Sequence, residues 1–320
     1  MPTATPPKVS GIPVVSRLSP SSVKEQISTM EEFLAPPAPG HRYPYPPNGT
    51  CESASHLGYS VFWATYAVFL LSSLFFIFLA SRVEKSLRLF HYITTTVTLI
   101  AAVSYYAMAT HSGSTCIPTP HDSADVHAYR QVFWARYVDW LFTTPLLLMD
   151  LAFLAGMGWV DIILLTTADQ GMILLGLFAG LKSRRTGHGK ARWGWFVMSL
   201  VLFLYVVGLL TTTARRHAKA RGGRVRKIYD TLGFYAVSLW CAYPIVWALG
   251  EGTRKIGVDA EIIAYAVLDV MSKAVFGSIL LIAHMRNPET SVPLTGYWNS
   301  LVPEGDSERA RLLAEDDDEN

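Results

Sequence analysis

Six ionisable residues sit inside stretches otherwise too apolar to hold a charge: Arg136, Asp139 and Asp150 in one, Asp169 in the next, and Asp269 and Lys273 in a later one. A charge at mid-membrane costs on the order of 3 kcal/mol, so such residues suggest a pathway, a relay or a ligand counter-ion. Asp139 and Asp150 are eleven residues apart. At about 100° per residue that is roughly 1100°, or three turns plus about 20°, which puts both carboxyls on one face about 16 Å apart along the axis. The spacing is that of a relay. Thr143 shares the face, four residues after Asp139, and its hydroxyl can reach that carboxylate. Arg136 precedes Asp139 by almost one turn. Asp269 and Lys273 are neighbours at i and i+4, and a buried ion pair accounts for them alone, leaving Asp139 and Asp150 unexplained. A lysine in an apolar pocket can also act as a nucleophile, condensing with an aldehyde to an imine with loss of water. Protonated, such an imine is a cation, and Asp139 and Asp269 would balance it from two helices. Trp140, Trp240, Tyr243 and Trp247 could wall a slot for a long polyene, although they also suit ordinary membrane packing.

The elements that must position these groups are transmembrane helices. The chain has 320 residues, 51% of them hydrophobic, and a formal net charge of +2. It carries no glycine-rich phosphate loop, zinc-type cysteine pairing or His-Glu-x-x-His stretch, which argues against a soluble enzyme, a metal site or a nucleic-acid partner. Seven stretches reach the roughly 20 apolar residues that a bilayer core needs: 57 to 81, 89 to 110, 130 to 154, 160 to 182, 192 to 213, 227 to 250 and 259 to 284. Residues 1–56 are rich in Pro, Ser and Thr and read as a tail without a packed core, with no cleavable signal peptide. Residues 57–285 form the helical domain, and 286–320 a second tail with an acidic end, Glu315 to Glu319. Arg82, Lys85 and Arg88, with Arg215, Arg216, Lys219, Arg221, Arg224, Arg226 and Lys227, place the first and fifth loops on the cytoplasmic side and the N-terminus outside. The loop holding Lys182, Arg184, Arg185, Lys190 and Arg192 runs against that bias. In this topology Cys51 and Cys116 share the outer side, and sequence leaves open whether they pair, while Cys241 lies within a helix. Asn48-Gly49-Thr50 is a glycosylation sequon, usable only if that tail faces outward.

Three segments together resemble the microbial rhodopsins: Arg136-Tyr-Val-Asp-Trp-Leu-Phe-Thr-Thr-Pro-Leu-Leu-Leu-Met-Asp150, Trp240-Cys-Ala-Tyr-Pro-Ile-Val-Trp247 and Leu268-Asp-Val-Met-Ser-Lys273. The N-terminal tail and Arg254-Lys-Ile-Gly-Val-Asp-Ala-Glu-Ile-Ile-Ala-Tyr265 resemble the fungal branch. The resemblance implies an all-α, seven-helix membrane bundle that binds all-trans retinal covalently at Lys273 and pumps protons outward, as bacteriorhodopsin-like proteins do. It assigns Asp139 as proton acceptor, Asp269 as second counter-ion and Asp150 as cytoplasmic proton donor, with Thr94 as the donor's partner. It places Tyr105, Tyr137, Trp140, Thr144, Leu147 and Met172 around the chromophore, with Gly176, Trp195, Ser199, Trp240, Tyr243 and Trp247. Asp169 and Thr144 would form a polar pair beside the ring end. Glu251 and Glu261 match the family's release pair, two acids able to share a proton, although two solvated loop acids would read the same way. Ser272 stands where many proton pumps carry alanine, and its hydroxyl should shift absorption to the blue. The implied partners are protons and membrane lipids, with assembly into a homo-oligomer left open, and the implied location is multi-pass in the plasma membrane.

Three functions compete: an ion pump, a photosensor with a slow cycle, and a retinal-free receptor or transporter. Aspartate at 139 argues against a chloride pump, and Asp, Thr and Asp at 139, 143 and 150 follow the proton-pump pattern. Asp150 favours pumping over sensing, because sensors often lack a donor carboxylate. Its Leu and Met surroundings favour the protonated form, which is what a donor needs.

Overall fold

The computed structural model describes residues 50–118, 127–182, 189–287 and Thr290. The sequon asparagine, Arg184, Arg185 and the acidic end at 315 to 319 lie outside the described residues. Residues 1–47 fall wholly outside the described residues.

Among the described residues, seven helices are long and apolar enough to cross a membrane: α1 His56–Ser81, α2 Leu89–Ala109, α3 Trp134–Ala155, α4 Trp159–Leu181, α5 Lys190–Ala220, α6 Gly223–Gly252 and α7 Val258–Arg286. Hydrocarbon offers the backbone no water, so these segments must close their hydrogen bonds internally. Apolar side chains such as Leu71, Val103, Phe142 and Phe234 stay exposed on the outer faces, as a lipid-facing surface requires. The buried faces meet in three clusters: Phe76, Leu147 and Leu151 with their neighbours; Phe62, Phe69 and Tyr105 with theirs; and Tyr137, Trp140, Trp247 and Tyr265. Ser55 caps α1 by accepting the Leu57 N–H, and its own N–H donates to Asp259, which ties the starts of α1 and α7 together. Gly156 ends α3 at φ 76°, a left-handed cap where a Cβ would be strained.

Three boundaries differ from the sequence expectation by four residues or more, among them the start of α6 at Gly223 rather than 227. Helix α3 starts at Trp134 rather than 130, because His127–Val132 form a strand. It pairs in parallel with Thr50–Glu52 and antiparallel with Thr115–Pro118, making a three-stranded sheet at one end of the bundle. The disulfide Cys51–Cys116 ties the two outer strands, so residues 50–52 of the expected tail are structured. At the opposite end, helix runs on through Arg215–Ala220, which the sequence suggested as loop. Lys, Arg and Ala are good helix formers, and Arg215 holds Asp230 of α6 at 2.8 Å. Helix α7 widens into an i→i+5 turn over Val270–Val275, a local expansion frequent at functional sites, and Lys273 lies within it.

Candidate functional site

Lys273 is 1% exposed and packed among α1, α3, α6 and α7 residues. Its Nζ donates to Asp139 Oδ2 and, at 3.2 Å, to Asp269 Oδ1. The two acids are held differently. Asp269 accepts from Tyr105 Oη at 2.8 Å, Tyr243 Oη at 2.9 Å and Trp140 Nε1 at 3.1 Å, so both of its oxygens are engaged. Asp139 has one oxygen on Lys273 and the other, Oδ1, without a hydrogen-bond partner. Thr143 does not bond the Asp139 carboxylate as expected. Its hydroxyl donates to the Asp139 carbonyl oxygen at 2.9 Å, the usual back-bond of a helical threonine, although it remains fully buried on the same face. Ser272 Oγ lies 2.9 Å from Tyr243 Oη, and so joins the Asp269 network.

An apolar cavity runs from Lys273 between α3, α4, α5 and α6. Tyr137, Trp140, Thr144, Leu147, Asp169, Met172, Gly176, Ser199, Trp240, Tyr243 and Trp247 line it as the sequence suggested. Two expected wall residues do not. Tyr105 sits behind Asp269 as its hydrogen-bond donor, and Trp195 packs edge-on against Phe178 instead. Its neighbour Phe196 takes the wall position and stacks on Trp247 at 4.4 Å, a difference of one residue and so about 100° around α5. Phe203, Pro244 and Tyr265 also line the cavity and were missed, because apolar or aromatic residues in a membrane helix carry no mark of facing inward. Thr144 Oγ1 donates to Asp169 Oδ2 at 2.6 Å, the expected polar pair.

Asp150 is fully buried eleven residues along α3 from Asp139. Thr94 Oγ1 approaches its Oδ2 at 3.4 Å, and its Oδ1 has no partner. Leu147, Leu148 and Leu151 crowd around this stretch, and no counter-charge among the described residues reaches the carboxyl.

At the sheet end, Glu251 and Glu261 are 1% and 3% exposed, which excludes the reading of two solvated loop acids. They do not hydrogen-bond one another. Glu251 Oε2 accepts from Tyr137 Oη at 2.6 Å, and its Oε1 is without a hydrogen-bond partner. Glu261 is clamped by two cations, Arg136 Nη1 at 3.0 Å and Arg130 Nη2 at 2.9 Å. Arg130 also holds Glu52 of the first strand at 2.9 Å, and Glu52 holds Arg254 at 3.1 Å. Burial works against the Arg130 guanidinium, but Glu261 and Glu52 outweigh it and raise its pKa, so it remains a fixed cation. Arg136 lies over the Tyr265 ring, 4.2 Å from its centroid. Sequence reasoning missed Arg130 and Glu52, since one fell in an expected helix and the other in an expected tail.

Residues 56–287 match the model of the family described as bacteriorhodopsin-like protein. The chain belongs to that family. This microbial rhodopsin is 40% identical to Opsin-1 of Neurospora crassa over 273 residues, 83% of this chain and 88% of that one. A solved light-driven proton pump from Leptosphaeria maculans is 42% identical, with a TM-score of 0.70 over 75% of this chain and 99% of that one. Halorhodopsin, a light-driven chloride pump, superposes with a TM-score of 0.69 at 30% identity, over 74% and 99%. The family binds retinal through a lysine, and this rhodopsin is an integral, multi-pass membrane protein.

Proposed function

We propose that this rhodopsin is a light-driven outward proton pump with all-trans retinal bound at Lys273. The residues fit such a group. The amine opens into a slot walled by Trp140, Trp240, Tyr243 and Trp247, and Asp139 keeps a carboxylate oxygen free beside it. Lys273 would hold retinal there, and the group would supply a light-sensitive cation able to give up a proton and take one back. Asp139, in contact with Lys273, is the proton acceptor, and its unpartnered Oδ1 leaves room for that proton. Asp269, held by Tyr105, Tyr243 and Trp140, is the second counter-ion at the lysine. Asp150 holds a proton in dry surroundings until the lysine end needs one, and Thr94 orients it. Toward the sheet end Arg136 carries the loss of charge on Asp139 to Glu251, whose Tyr137-bound carboxyl can release a proton, while Glu261 stays paired with Arg130.

One observation carries this reading: two same-facing acids of α3, one on the lysine and one buried away from any cation. A chloride pump needs room for an anion beside the lysine, and Asp139 fills that place. The disulfide at the sheet end fits an oxidising exterior, and the basic turn between α5 and α6 fits the cytoplasm, with the plasma membrane as host. The test is to express the full chain with all-trans retinal and to measure visible absorption and light-driven external acidification with and without a protonophore. A visible band with acidification that the protonophore abolishes supports the pump. A band with a slow cycle and no acidification makes the protein a sensor, and absence of a band removes the retinal assignment.

A further inference from the structure

Two histidines at the end of the bundle away from the sheet have no part in the mechanism so far. His91 is 2% exposed, and neither of its ring nitrogens has a hydrogen-bond partner. His284 of α7 is 5% exposed, stacks on Phe90 at 3.8 Å, and has Nδ1 2.6 Å from Thr290 Oγ1 while Nε2 is without a hydrogen-bond partner. Packing alone accounts poorly for this. A buried polar atom left unsatisfied costs about 1–3 kcal/mol, and a phenylalanine at 91 would fill the same space without that cost. The position of His91 is informative. It precedes Thr94 by three residues, about 4.5 Å along α2 and on nearly the same face, and Thr94 is the group on Asp150.

We propose that His91 and His284 form the proton-uptake relay that refills Asp150 from the cytoplasmic side. This rests on the pump reading above. A neutral imidazole binds an incoming proton on one nitrogen and releases the proton of the other, so that after the ring resets nothing is gained or lost but one proton moved inward. His284, beside Thr290 near the end of α7, receives the proton from water, and His91 passes it along the α2 face to Asp150. Arg88 is the charged group facing His91, and His91 itself and Arg221 face His284. Arg88 Nε donates to the Val83 carbonyl and Arg221 Nη1 to those of Phe153 and Leu154, so both cations are tied to backbone.

The test uses the full chain with retinal in lipid vesicles, a laser flash, and a pH-indicator dye following proton uptake, in wild type, His91→Phe, His284→Phe and the double variant. The visible band serves as the folding control, and His91→Asn, polar but without a titrating nitrogen, replaces His91→Phe should that band be lost. In His91→Phe, uptake is expected to slow by about 10-fold to 100-fold, the range of one lost acid–base group. Its rate should become proportional to proton concentration, and added imidazole should restore it. Uptake unchanged in the double variant, or slowed in a way imidazole does not restore, would overturn the relay. A wild-type chain that takes up no proton at all would overturn the pump reading and the relay with it.

Discussion

Asp139 and Asp150 are the same residue type on the same face of the same helix, and their surroundings have almost nothing in common. Asp139 touches a lysine and shares it with a second carboxylate, in a net of tyrosine and tryptophan donors. Asp150 has leucines around it and a single hydroxyl at 3.4 Å. In one place a cation makes the ionised form affordable, and in the other the lack of one favours the neutral acid. In the proposed pump the direction of transport would follow from that contrast, because a proton must be accepted where the acid is charged and donated where it is not. Residue type alone would make the two interchangeable.

The contrast can be broken at either end. The largest effect is expected for Lys273→Ala, which removes the shared cation and with it the visible absorption band, read in a spectrum of the reconstituted protein. Asp139→Asn should abolish light-driven acidification while keeping the band, moved to longer wavelength because a counter-ion is gone. Asp150→Asn should leave the dark spectrum nearly unchanged and slow reprotonation of the lysine end by about 10²-fold, as loss of one positioned proton donor does. Flash photolysis measures it. Glu261→Gln leaves Arg130 and Arg136 facing a neutral amide, and breaking so buried a pair costs about 3–5 kcal/mol, which a lowered melting temperature would report. The smallest effect is that of Ser272→Ala, which removes a hydroxyl joined to the Asp269 network and should move the absorption modestly to the red. An unmoved spectrum would mean that Ser272 does not tune the site.

The contrast was legible in the sequence wherever it was written in spacing along one helix. Eleven residues put Asp139 and Asp150 on one face, and four put Asp269 against Lys273, because helix geometry is the same everywhere. Seven apolar stretches gave the bundle for a similar reason. Features set by tertiary approach were not legible. Arg130 reaches Glu261 across 131 positions because a strand, not a helix, carries it, and the alternation of a short strand is faint beside a hydrophobic span. Trp195 and Phe196 exchanged places at the cavity wall because two adjacent aromatics cannot reveal which one faces inward. Thr143 turned its hydroxyl to its own backbone, a choice that depends on a rotamer and not on spacing. The unpartnered nitrogens of His91 likewise show only once the helices are packed.

The central claim is that one acid of α3 is charged in the dark and the other is not. Time-resolved infrared difference spectra of the wild-type pigment, with Asp139→Asn and Asp150→Asn to assign the carboxyl bands, test it most directly. A carboxylic-acid band of Asp139 should appear after the flash, and one of Asp150, present in the dark, should vanish later and return as the cycle closes. A dark spectrum in which Asp150 is already ionised, or in which Asp139 is already protonated, would contradict the account.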